Sequence, residues 1–166
     1  MPNEIYVLDT CAIIDLHNHF PTEFRKMIEV FAKENSLKIP EGVFRELYRK
    51  TDKICKKIKK IIEKYPSIIV NLRENLRIME KFSEIERNYG ESIRFRNNVY
   101  KGYWKSPRGK KSAEGQVIAI AKVLQYTVVS DDSSVKLICM LEDIPCIGWT
   151  EFARRSSKQL LLFNNT

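Results

Sequence analysis

The sequence predicts an α/β fold, a single-domain α/β/α sandwich with a central parallel sheet of about five strands. Two observations predict it. Short apolar runs rich in β-branched residues recur along the chain, and a segment of helical periodicity lies between each pair of successive runs. Strands that are joined through helices lie parallel in one sheet, with right-handed connections and helices on both faces.

Five apolar runs are the predicted strands. The first is continuously apolar and includes β-branched and aromatic residues, as expected of a strand that is buried on both faces. Pro40 closes the second run. The five runs are residues 5–8, 37–39, 68–70, 127–129 and 144–147.

The segments between the runs carry apolar residues at intervals of three and four, which predicts amphipathic helices. Gly90 is placed to end the third helix, and Ser112 is placed to cap the fourth. The apolar face predicted for the third helix is Leu76, Met79, Phe82 and Ile85. The predicted helices are residues 22–35, 41–64, 73–89 and 112–124, with a short helix between the last two strands.

One domain is expected, because 166 residues are enough for one core and too few for two comfortable ones. We expect it to span residues 1–156, with a basic helical and loop insertion at about 50–111 and a C-terminal tail at 157–166. Within the insertion, Gly102, Pro107 and Gly109 interrupt any periodicity. The stretch 92–113 is therefore expected to be a loop, at least in part.

The formal net charge is +8, so the surface should attract polyanions such as phosphate backbones or an acidic protein. No basic segment precedes the first apolar run, and no run approaches the ~20 residues that span a bilayer. A cytoplasmic protein without membrane contact is expected. The four cysteines form no CxxC pair, and the only histidines are His17 and His19, which argues against structural zinc and a disulfide framework.

Acidic residues flank the predicted strands at positions that meet on one edge of the sheet. Asp9 follows the first run, and Asp131 and Asp132 follow the fourth. Glu46 and Glu114 lie in the first two turns of crossover helices, whose N-termini reach the same edge because these helices run antiparallel to the strands. Ligands bind at this edge in open parallel sheets. Four acidic positions, with the adjacent Asp131 and Asp132 counted as one, are therefore expected to converge on one rim.

Clustered carboxylates repel one another, and a divalent cation such as Mg²⁺ or Mn²⁺ offsets that repulsion. Such an ion supports phosphodiester hydrolysis by activating water and by stabilising the leaving oxygen. We expect Asp9, Glu46, Glu114 and Asp132 to be both catalytic and metal-binding, with Asp131 as a further candidate ligand.

Each acid also has a purely structural explanation. Glu114 would interact favourably with the helix dipole, and Glu46 would be an ordinary acid on an exposed helix face. Either Asp131 or Asp132 would cap the next helix, and Asp9 would cap a turn. Both explanations stay open for each acid on the sequence alone.

Four segments resemble, in order and content, the signature segments of PIN-domain ribonucleases, a family that includes the toxins of VapBC-type toxin-antitoxin pairs. The resemblance spans nearly the whole chain. The segments are "YVLDTCAIIDL", "IPEGVFREL", "SAEGQVIAIAKVLQYTVVSDDSSVK" and "IPCIGW".

The resemblance implies an α/β/α sandwich and a Mg²⁺- or Mn²⁺-dependent endoribonuclease. The four acids of the family pattern fall on Asp9, Glu46, Glu114 and Asp132 of this chain. Two hydroxyl positions that help to hold the acidic site fall on Thr10 and Ser130.

The implied partners are an RNA substrate, an acidic antitoxin-like protein and a second copy of the chain in a homodimer. The second and third acids are 68 positions apart, which is long beside compact toxins. A toxin and an RNA-processing enzyme therefore both stay open.

The stretch 92–113 contains no acid and seven cations, interleaved with aromatic residues. Single-stranded RNA is commonly bound by base stacking together with phosphate contacts. We expect this stretch to guide RNA to the acidic rim. The alternative is a solvated loop whose aromatic side chains cover the core or a partner. The candidate RNA-binding residues are Arg94, Arg96, Tyr103, Trp104, Lys105, Arg108, Lys110 and Lys111.

Two other functions fit part of the pattern. A haloacid-dehalogenase-type phosphatase also begins with a strand that ends in Asp, but its motif needs a second Asp two residues later, where this chain has Cys11. A non-catalytic PIN-like module that binds RNA or protein would not need four acids, and it is the principal alternative.

Overall fold

A parallel β-sheet lies at the centre of the protein. The computed structural model describes residues 3–50, 52–104 and 112–164. Its strands are β1 (Tyr6–Leu8), β2 (Leu37–Pro40), β3 (Ile69–Val70), β4 (Ser92–Phe95), β5 (Asn98–Lys101), β6 (Thr127–Val129) and β7 (Cys146–Ile147). Five of them form one parallel sheet in the order β3-β2-β1-β6-β7, and β4 and β5 form a separate antiparallel hairpin. The predicted α/β class and parallel sheet of about five strands are confirmed.

Helices cover both faces of this sheet. In the described ranges they are α1 (Thr10–His19), α2 (Phe24–Lys33), α3 (Glu41–Lys50), α4 (Asp52–Lys64), α5 (Leu76–Tyr89), α6 (Ala113–Leu124), α7 (Ser133–Leu141) and α8 (Trp149–Asn164). Helix α6 packs across β1, β2 and β6, with α3, α5 and α7 beside it, whereas α2 packs on β2 and against α4 and α8. The arrangement is the predicted α/β/α sandwich.

The order of the strands reverses next to β1. From β1 the chain moves outward to β2 and β3, and it then returns to the other side of β1 to add β6 and β7. The register pairs Leu8 with Val129, so the residues that follow them, Asp9 and Ser130, leave the sheet side by side. Ligands bind in such sheets in the crevice at this reversal, beyond the carboxyl ends of the strands.

The two strands at the reversal are buried on both faces. Every residue of β1 and β6 is at most 5% exposed. Aliphatic, aromatic and β-branched side chains are expected in parallel strands that helices cover on both sides. This packing fixes where the two strands end, and it thereby positions the residues that follow them.

The segment predicted as a helix at 41–64 is helical on both sides of residue 51. Helix α3 packs against α6 and β2, whereas α4 packs against α2 and the short 3-10 turn Pro66–Ile68. Residue 51, which separates them in the chain, lies outside the described residues. Both helical segments and the stop before Pro66 are confirmed, and their union in one helix stays a prediction.

The inward face of α5 agrees with the prediction at Phe82 and Ile85 and differs from it at Leu76 and Met79. Its buried residues are Ile78 and Ile85, whereas Leu76 is 70% and Met79 is 41% exposed. The helix begins at Leu76, capped by the side chain of Asn75, and it turns Ile78 rather than Met79 towards the core. One position round a helix is about 100°, so an error of one residue moves a side chain from the core to the surface.

Helices α1 and α8 are not among the helices predicted from the sequence. Helix α1 starts directly after β1, because the Asp9 side chain caps it. Helix α8 buries Phe152, Ala153 and Ser156. It continues to Asn164, so residues 157–164, expected in a tail, are helical. The domain limits of 1–156 and the insertion at about 50–111 stay predictions.

Residues 92–101 form the β4–β5 hairpin instead of a loop. Four cross-strand pairs join its strands, from Ser92 with Lys101 to Phe95 with Asn98. Ile93 is fully buried while its neighbour Arg94 is exposed, which is the alternation of a strand with one face on the core. The period-two signal covers only four residues on each side of the turn, too few to stand out among the cations.

Within the described residues, no helix has both the length and the apolar character needed to cross a membrane.

Candidate active site

Asp9 lies at the carboxyl end of β1 and is only 3% exposed. Its Oδ1 accepts a hydrogen bond of 2.8 Å from the backbone N–H of Thr10, so Asp9 is the N-cap of α1. Its Oδ2 accepts a hydrogen bond of 2.8 Å from the Ser130 hydroxyl and a 3.4 Å contact from the Cys11 thiol. All of these donors are neutral groups.

Burial raises the pKa of Asp9 above its ordinary value, and the nearby Asp132 carboxylate raises it further. The hydrogen bonds from Ser130, Thr10 and Cys11 act in the opposite direction, because they stabilise the charged form. Burial also raises the pKa of the Cys11 thiol to about 12, with the Asp9 charge as the next cause. Cys11 is therefore a protonated donor to Asp9 at neutral pH.

Ser130 connects the ends of two strands. Its hydroxyl donates to Asp9, and its oxygen accepts a hydrogen bond of 3.2 Å from the backbone N–H of Asp132. Ser130 itself is fully buried. The same hydroxyl thus orients the Asp9 carboxylate and fixes the turn that presents Asp132.

Glu46 reaches this region from α3. The Thr10 hydroxyl donates a hydrogen bond of 2.8 Å to Glu46 Oε2, which ties α3 to the first turn of α1. The other carboxylate oxygen, Glu46 Oε1, lies 2.5 Å from the Nζ of Lys50, which stands one helical turn further along α3. The hydrogen bond to Glu46, together with the charges of Glu46, Glu114 and Asp9, raises the pKa of Lys50 against the opposing effect of burial. Lys50 is therefore a cation held among carboxylates.

Two further carboxylates come from the N-terminal ends of helices. Glu114 lies in the first turn of α6, which the Ser112 hydroxyl caps by accepting from the N–H of Gly115. Asp132 caps α7, since its Oδ1 accepts a hydrogen bond of 3.0 Å from the N–H of Val135. Asp132 therefore does cap the next helix, as its structural explanation predicts, and it also lines the pocket described next.

These carboxylates meet in one pocket of about 170 Å³, which we call the acid pocket. Among its carboxylates, Asp9 is buried and Asp132 is exposed. The structure therefore brings together the four acids that topology predicts to converge. The residues that line the acid pocket are Asp9, Thr10, Cys11, Ile14, Asp15, Glu46, Lys50, Glu114 and Asp132.

Asp131 lies elsewhere. Its Oδ2 accepts a hydrogen bond of 2.8 Å from the backbone N–H of Trp149, and its Oδ1 lies 3.1 Å from Lys136 Nζ. It also packs so closely on Gly148 that a Cβ there would lie 2.6 Å from Oδ1. Asp131 thus joins the β6–α7 turn to the start of α8 and is not among the residues that line the acid pocket.

Convergent carboxylates, and not size, single out this pocket. A larger groove of about 660 Å³ lies beside Tyr6, Phe31 and the C-terminal half of α8. Its described lining contains cations and apolar residues but no acid. It lies away from the carboxyl ends of the strands, so it does not match the chemistry of the acid pocket.

The donor set of the acid pocket fits a hard divalent cation. Its five carboxylates, the four predicted acids and Asp15, are the oxygen ligands that Mg²⁺ and Mn²⁺ prefer, and the buried Asp9 has only neutral hydrogen-bond donors. The carboxylates line the pocket without forming a close cluster, since in the described residues no group of three or more His, Cys, Asp or Glu side chains is arranged to hold a metal ion. Lys50 supplies positive charge among them instead.

The candidate RNA-binding residues divide into three groups. Arg94 and Arg96 lie on the β4–β5 hairpin, where Arg94 is exposed and the Arg96 guanidinium lies 5.3 Å from the centre of the Phe95 ring. Tyr103 is 6% exposed and belongs to the core, and Trp104 packs against that core. Stacking of a base on Tyr103 is therefore a mistaken expectation, since its ring is covered. Lys105, Arg108, Lys110 and Lys111 lie outside the described residues.

Sequence reasoning missed three residues of the acid pocket: Asp15, which adds a carboxylate, Lys50, which adds a cation, and Cys11, which donates to Asp9. Lys50 stands four residues after Glu46, and that spacing places both on one face of a helix. Cys11 stands two residues after Asp9, where the sequence pattern does not mark its thiol as a donor to that carboxylate. The first signal was available in the sequence; the thiol donation from Cys11 depends on how α1 leaves the strand.

Comparison with known proteins adds a family and a fold. The sequence model of a family described as a domain of unknown function, DUF4411, matches residues 6–160. None of the proteins with curated descriptions matches the chain. Among solved structures, a chain of VapBC2 from Rickettsia felis aligns with a TM-score of 0.51 at 18% identity, over 87% of this chain and 98% of that one. That structure is a crystal structure of VapBC2 bound to a DNA fragment from its promoter.

VapBC-1 from nontypeable Haemophilus influenzae aligns with a TM-score of 0.48 at 18% identity, over 88% of this chain and 98% of that one. At such identities the likeness to the Rickettsia felis structure concerns the fold alone, and it confirms the PIN-like fold predicted from the sequence. The family match covers most of the chain. The chain therefore belongs to the DUF4411 family, and its fold is PIN-like.

Proposed function

We propose that this protein is a metal-dependent endoribonuclease that hydrolyses RNA phosphodiester bonds in the acid pocket. One observation carries the proposal: carboxylates from four separate elements line a single pocket at the strand reversal of a PIN-like sheet. Structural capping accounts for Asp9 and Asp132 singly, but it gives no reason for Glu46 and Glu114 to share their pocket.

Asp9, Glu46, Glu114 and Asp132 would hold the cation, with Mg²⁺ or Mn²⁺ as the ions that suit such ligands. When bound, the cation would stabilise the negative charge that develops on the phosphodiester. The remaining residues prepare the site. The hydroxyls of Ser130 and Thr10 hold Asp9 and Glu46 in place through hydrogen bonds of 2.8 Å.

Lys50 has a defined part in this proposal. Its ammonium pairs with Glu46 and interacts with Glu114 and Asp9, so it reduces the mutual repulsion of the carboxylates before a cation binds. The Lys50 side chain is 45% exposed. It would therefore be able to turn towards solvent or a substrate phosphate once a bound cation neutralises the carboxylates in its place.

Two biological roles fit such a nuclease, namely the toxin of a toxin-antitoxin pair and an RNA-processing enzyme. The net charge of +8 suits an acidic antitoxin-like partner as well as RNA, and the fold is shared with a chain of the Rickettsia felis VapBC2 structure. Co-purification with a small acidic protein from an adjacent reading frame, and growth arrest without it, would assign the toxin role. A homodimer is compatible with both roles.

A non-catalytic RNA- or protein-binding module is the second candidate. The ion pair between Lys50 and Glu46 favours it, because one proposed ligand is already neutralised. The decisive experiment incubates purified protein with single-stranded and structured RNA in Mn²⁺, Mg²⁺ or EDTA, beside Asp9→Asn. Cleavage that needs a divalent ion and Asp9 supports the nuclease. RNA binding without cleavage in any of these conditions supports the module.

A further inference from the structure

A second groove, of about 340 Å³, opens on the same edge of the sheet as the acid pocket. We call it the side groove. Its walls come from the residues that follow β2 and β3 and from helices α5 and α6. Its size is within the range of about 300 to 1,000 Å³ typical of small-ligand sites. The residues that line it are Glu41, Arg45, Asn71, Leu72, Arg73, Met79, Phe82, Ser83 and Gln116.

The side groove and the acid pocket share two helices. On α3, Glu41 and Arg45 line the side groove, whereas Glu46 and Lys50 line the acid pocket. Each pair is spaced by four residues, so α3 presents one face to each cavity. Helix α6 likewise contributes Glu114 to the acid pocket and Gln116 to the side groove. An RNA strand that lies along this edge of the sheet would pass both cavities.

Gln116 is a polar side chain built into the wall of the side groove. It is only 1% exposed, and its Oε1 accepts a hydrogen bond of 2.9 Å from the backbone N–H of Gly42. That bond fixes the orientation of the amide, so the Nε2 group is left to donate. Among the described residues, no hydrogen bond occupies this Nε2 group.

The position of Gln116 depends on a glycine. A Cβ at Gly42 would lie 2.7 Å from both Cδ and Nε2 of Gln116, closer than real contacts allow. The amide therefore fits against the first turn of α3 only because residue 42 has no side chain. A buried amide with a fixed acceptor end and a spare donor end is what a site that reads a ligand's hydrogen-bond pattern requires.

The other polar groups of the side groove are mostly donors as well. Arg45 and Arg73 carry guanidinium groups. The Nη2 of Arg45 lies 3.7 Å from Oε1 of Glu41, so these two residues form a weak, solvent-exposed ion pair. Asn71 Oδ1 already accepts from the backbone N–H of Arg73, which leaves the amide NH₂ of Asn71 to donate. Phe82 and Met79 add apolar surface beside these donors.

We propose that the side groove holds one nucleotide of the RNA strand and prefers a keto base, uracil or guanine, over an amino base. Gln116 Nε2 would donate to the base carbonyl, the ring would lie against Phe82 and Met79, and the arginines would contact phosphate. Cytosine and adenine place an amine where the keto bases place a carbonyl. Their amine, itself a donor, would then lie opposite the Gln116 donor and could not accept from it. This inference rests on the proposed ribonuclease function.

The test compares UMP with CMP, which are alike in size and differ at C4, a carbonyl in UMP and an amine in CMP, and at the adjoining N3, a donor in UMP and an acceptor in CMP. NMR titrations of the 166-residue chain are made in EDTA, so that neither metal nor cleavage is needed. We expect UMP to bind at least tenfold more tightly than CMP and to shift resonances of Gln116 and Phe82. Equal affinities, or shifts confined to other parts of the protein, overturn the proposal.

Three variants locate the binding. Met79→Trp, at a 41% exposed position, should fill the side groove and weaken UMP binding at least tenfold. Leu76→Trp, more exposed on the same helix and outside the groove lining, should leave it unchanged. Gln116→Met keeps the side-chain length but removes the donor, so the preference for UMP over CMP should disappear. Unaltered UMP binding by Met79→Trp contradicts the assignment.

The two proposals fail separately. Nucleotide preference without metal-dependent RNA cleavage removes the nuclease and keeps the side groove. Metal-dependent cleavage by a protein that binds UMP and CMP alike keeps the nuclease and removes the side groove.

Discussion

The Ser130 hydroxyl donates a hydrogen bond of 2.8 Å to the Asp9 carboxylate, across 121 positions of sequence. The two residues directly follow the adjacent strands β6 and β1 at the point where strand order reverses. Both are almost completely buried. The contact therefore joins the two halves of the sheet at the place where the acid pocket begins.

Removing this hydroxyl should impair the site more than the fold. In Ser130→Ala, Asp9 loses a donor that stabilises its charged form, and the N–H of Asp132 loses its acceptor. We expect metal affinity and RNA cleavage to fall by roughly 10- to 100-fold, the usual effect of losing a residue that supports a metal ligand. Isothermal titration with Mn²⁺ and initial cleavage rates would measure it.

Ser156→Ala is the matched control. Ser156 is also fully buried, and its hydroxyl bonds to the Phe152 carbonyl within α8, away from the acid pocket. It should lower the melting temperature without changing the Mn²⁺ affinity. An equal loss of Mn²⁺ affinity in both variants would mean that Ser130 acts only through stability.

Asp9→Asn should stabilise the metal-free protein at neutral pH. The pKa of Asp9 is raised from its ordinary value of 3.8, chiefly by burial, so ionising it costs more in the folded than in the unfolded chain. The cost is absent below about pH 3.8, where the group is protonated in both states, and it is complete above the folded-state pKa. The gain in stability should therefore appear as the pH rises.

Melting temperatures in EDTA, recorded from acid to neutral pH, would measure this gain, with each kcal/mol worth ~2 to 4 °C for a chain of this size. Asp132→Asn, at an exposed position, is the comparison and should change the melting temperature much less. A neutral-pH destabilisation by Asp9→Asn would contradict the account of Asp9.

Lys50→Met should bind metal more tightly and be less stable without it. The ammonium offsets the charges of Glu46, Glu114 and Asp9, and it competes with a cation for the same oxygens. Because 45% of the Lys50 side chain is exposed, solvent limits the effect to about 1 kcal/mol, or roughly fivefold in Mn²⁺ affinity.

Lys60→Met, an exposed position on α4 that also removes one positive charge, separates this local effect from the change in net charge. Its Mn²⁺ affinity should stay within about twofold of the wild type. Tighter Mn²⁺ binding in both variants would show a general charge effect, and weaker binding in Lys50→Met would show that Lys50 supports the ligands.

The hairpin cations should contribute to RNA binding by pairing with phosphates. Replacing Arg94, Arg96 and Lys101 with serine should weaken binding and reduce the slope of log K against log salt concentration by ~0.7 for each phosphate that is no longer neutralised, or about 2 in all. Fluorescence anisotropy with a labelled single-stranded RNA at several salt concentrations would measure the slope.

The control removes three exposed lysines from the solvated face of α4. It changes the net charge equally, and we expect the slope to change by less than about 1. The control residues are Lys53, Lys56 and Lys60. A larger change in the control than in the hairpin variant would place the RNA on α4.

The strand ends were predictable because they depend on short-range patterns and on one topological rule. The β-branched run at 127–129 marks β6 at its observed limits, and the rule that parallel strands end at one edge brings Asp9 and Asp132 together. Helix α1 was also within reach, since Asp9 precedes a helical pattern of Ala12, Ile13 and Leu16, which are all buried.

Other features depend on tertiary packing that no local pattern reports. Asp131 and Asp132 are chemically identical neighbours, and only the path of the turn sends one to Trp149 and Lys136 and the other to the acid pocket. Tyr103 fits RNA stacking and core packing equally well by composition. Its burial is decided by how the hairpin folds back onto α5.

That adjacent pair of aspartates provides the most direct test of the metal site. Mn²⁺ binding and Mn²⁺-dependent RNA cleavage are measured for Asp132→Asn and Asp131→Asn, two variants with the same change of charge one residue apart. We expect Asp132→Asn to reduce Mn²⁺ binding and cleavage at least tenfold, while Asp131→Asn keeps both and loses only stability. Equal losses in the two variants, or a greater loss in Asp131→Asn, would contradict the proposed metal site.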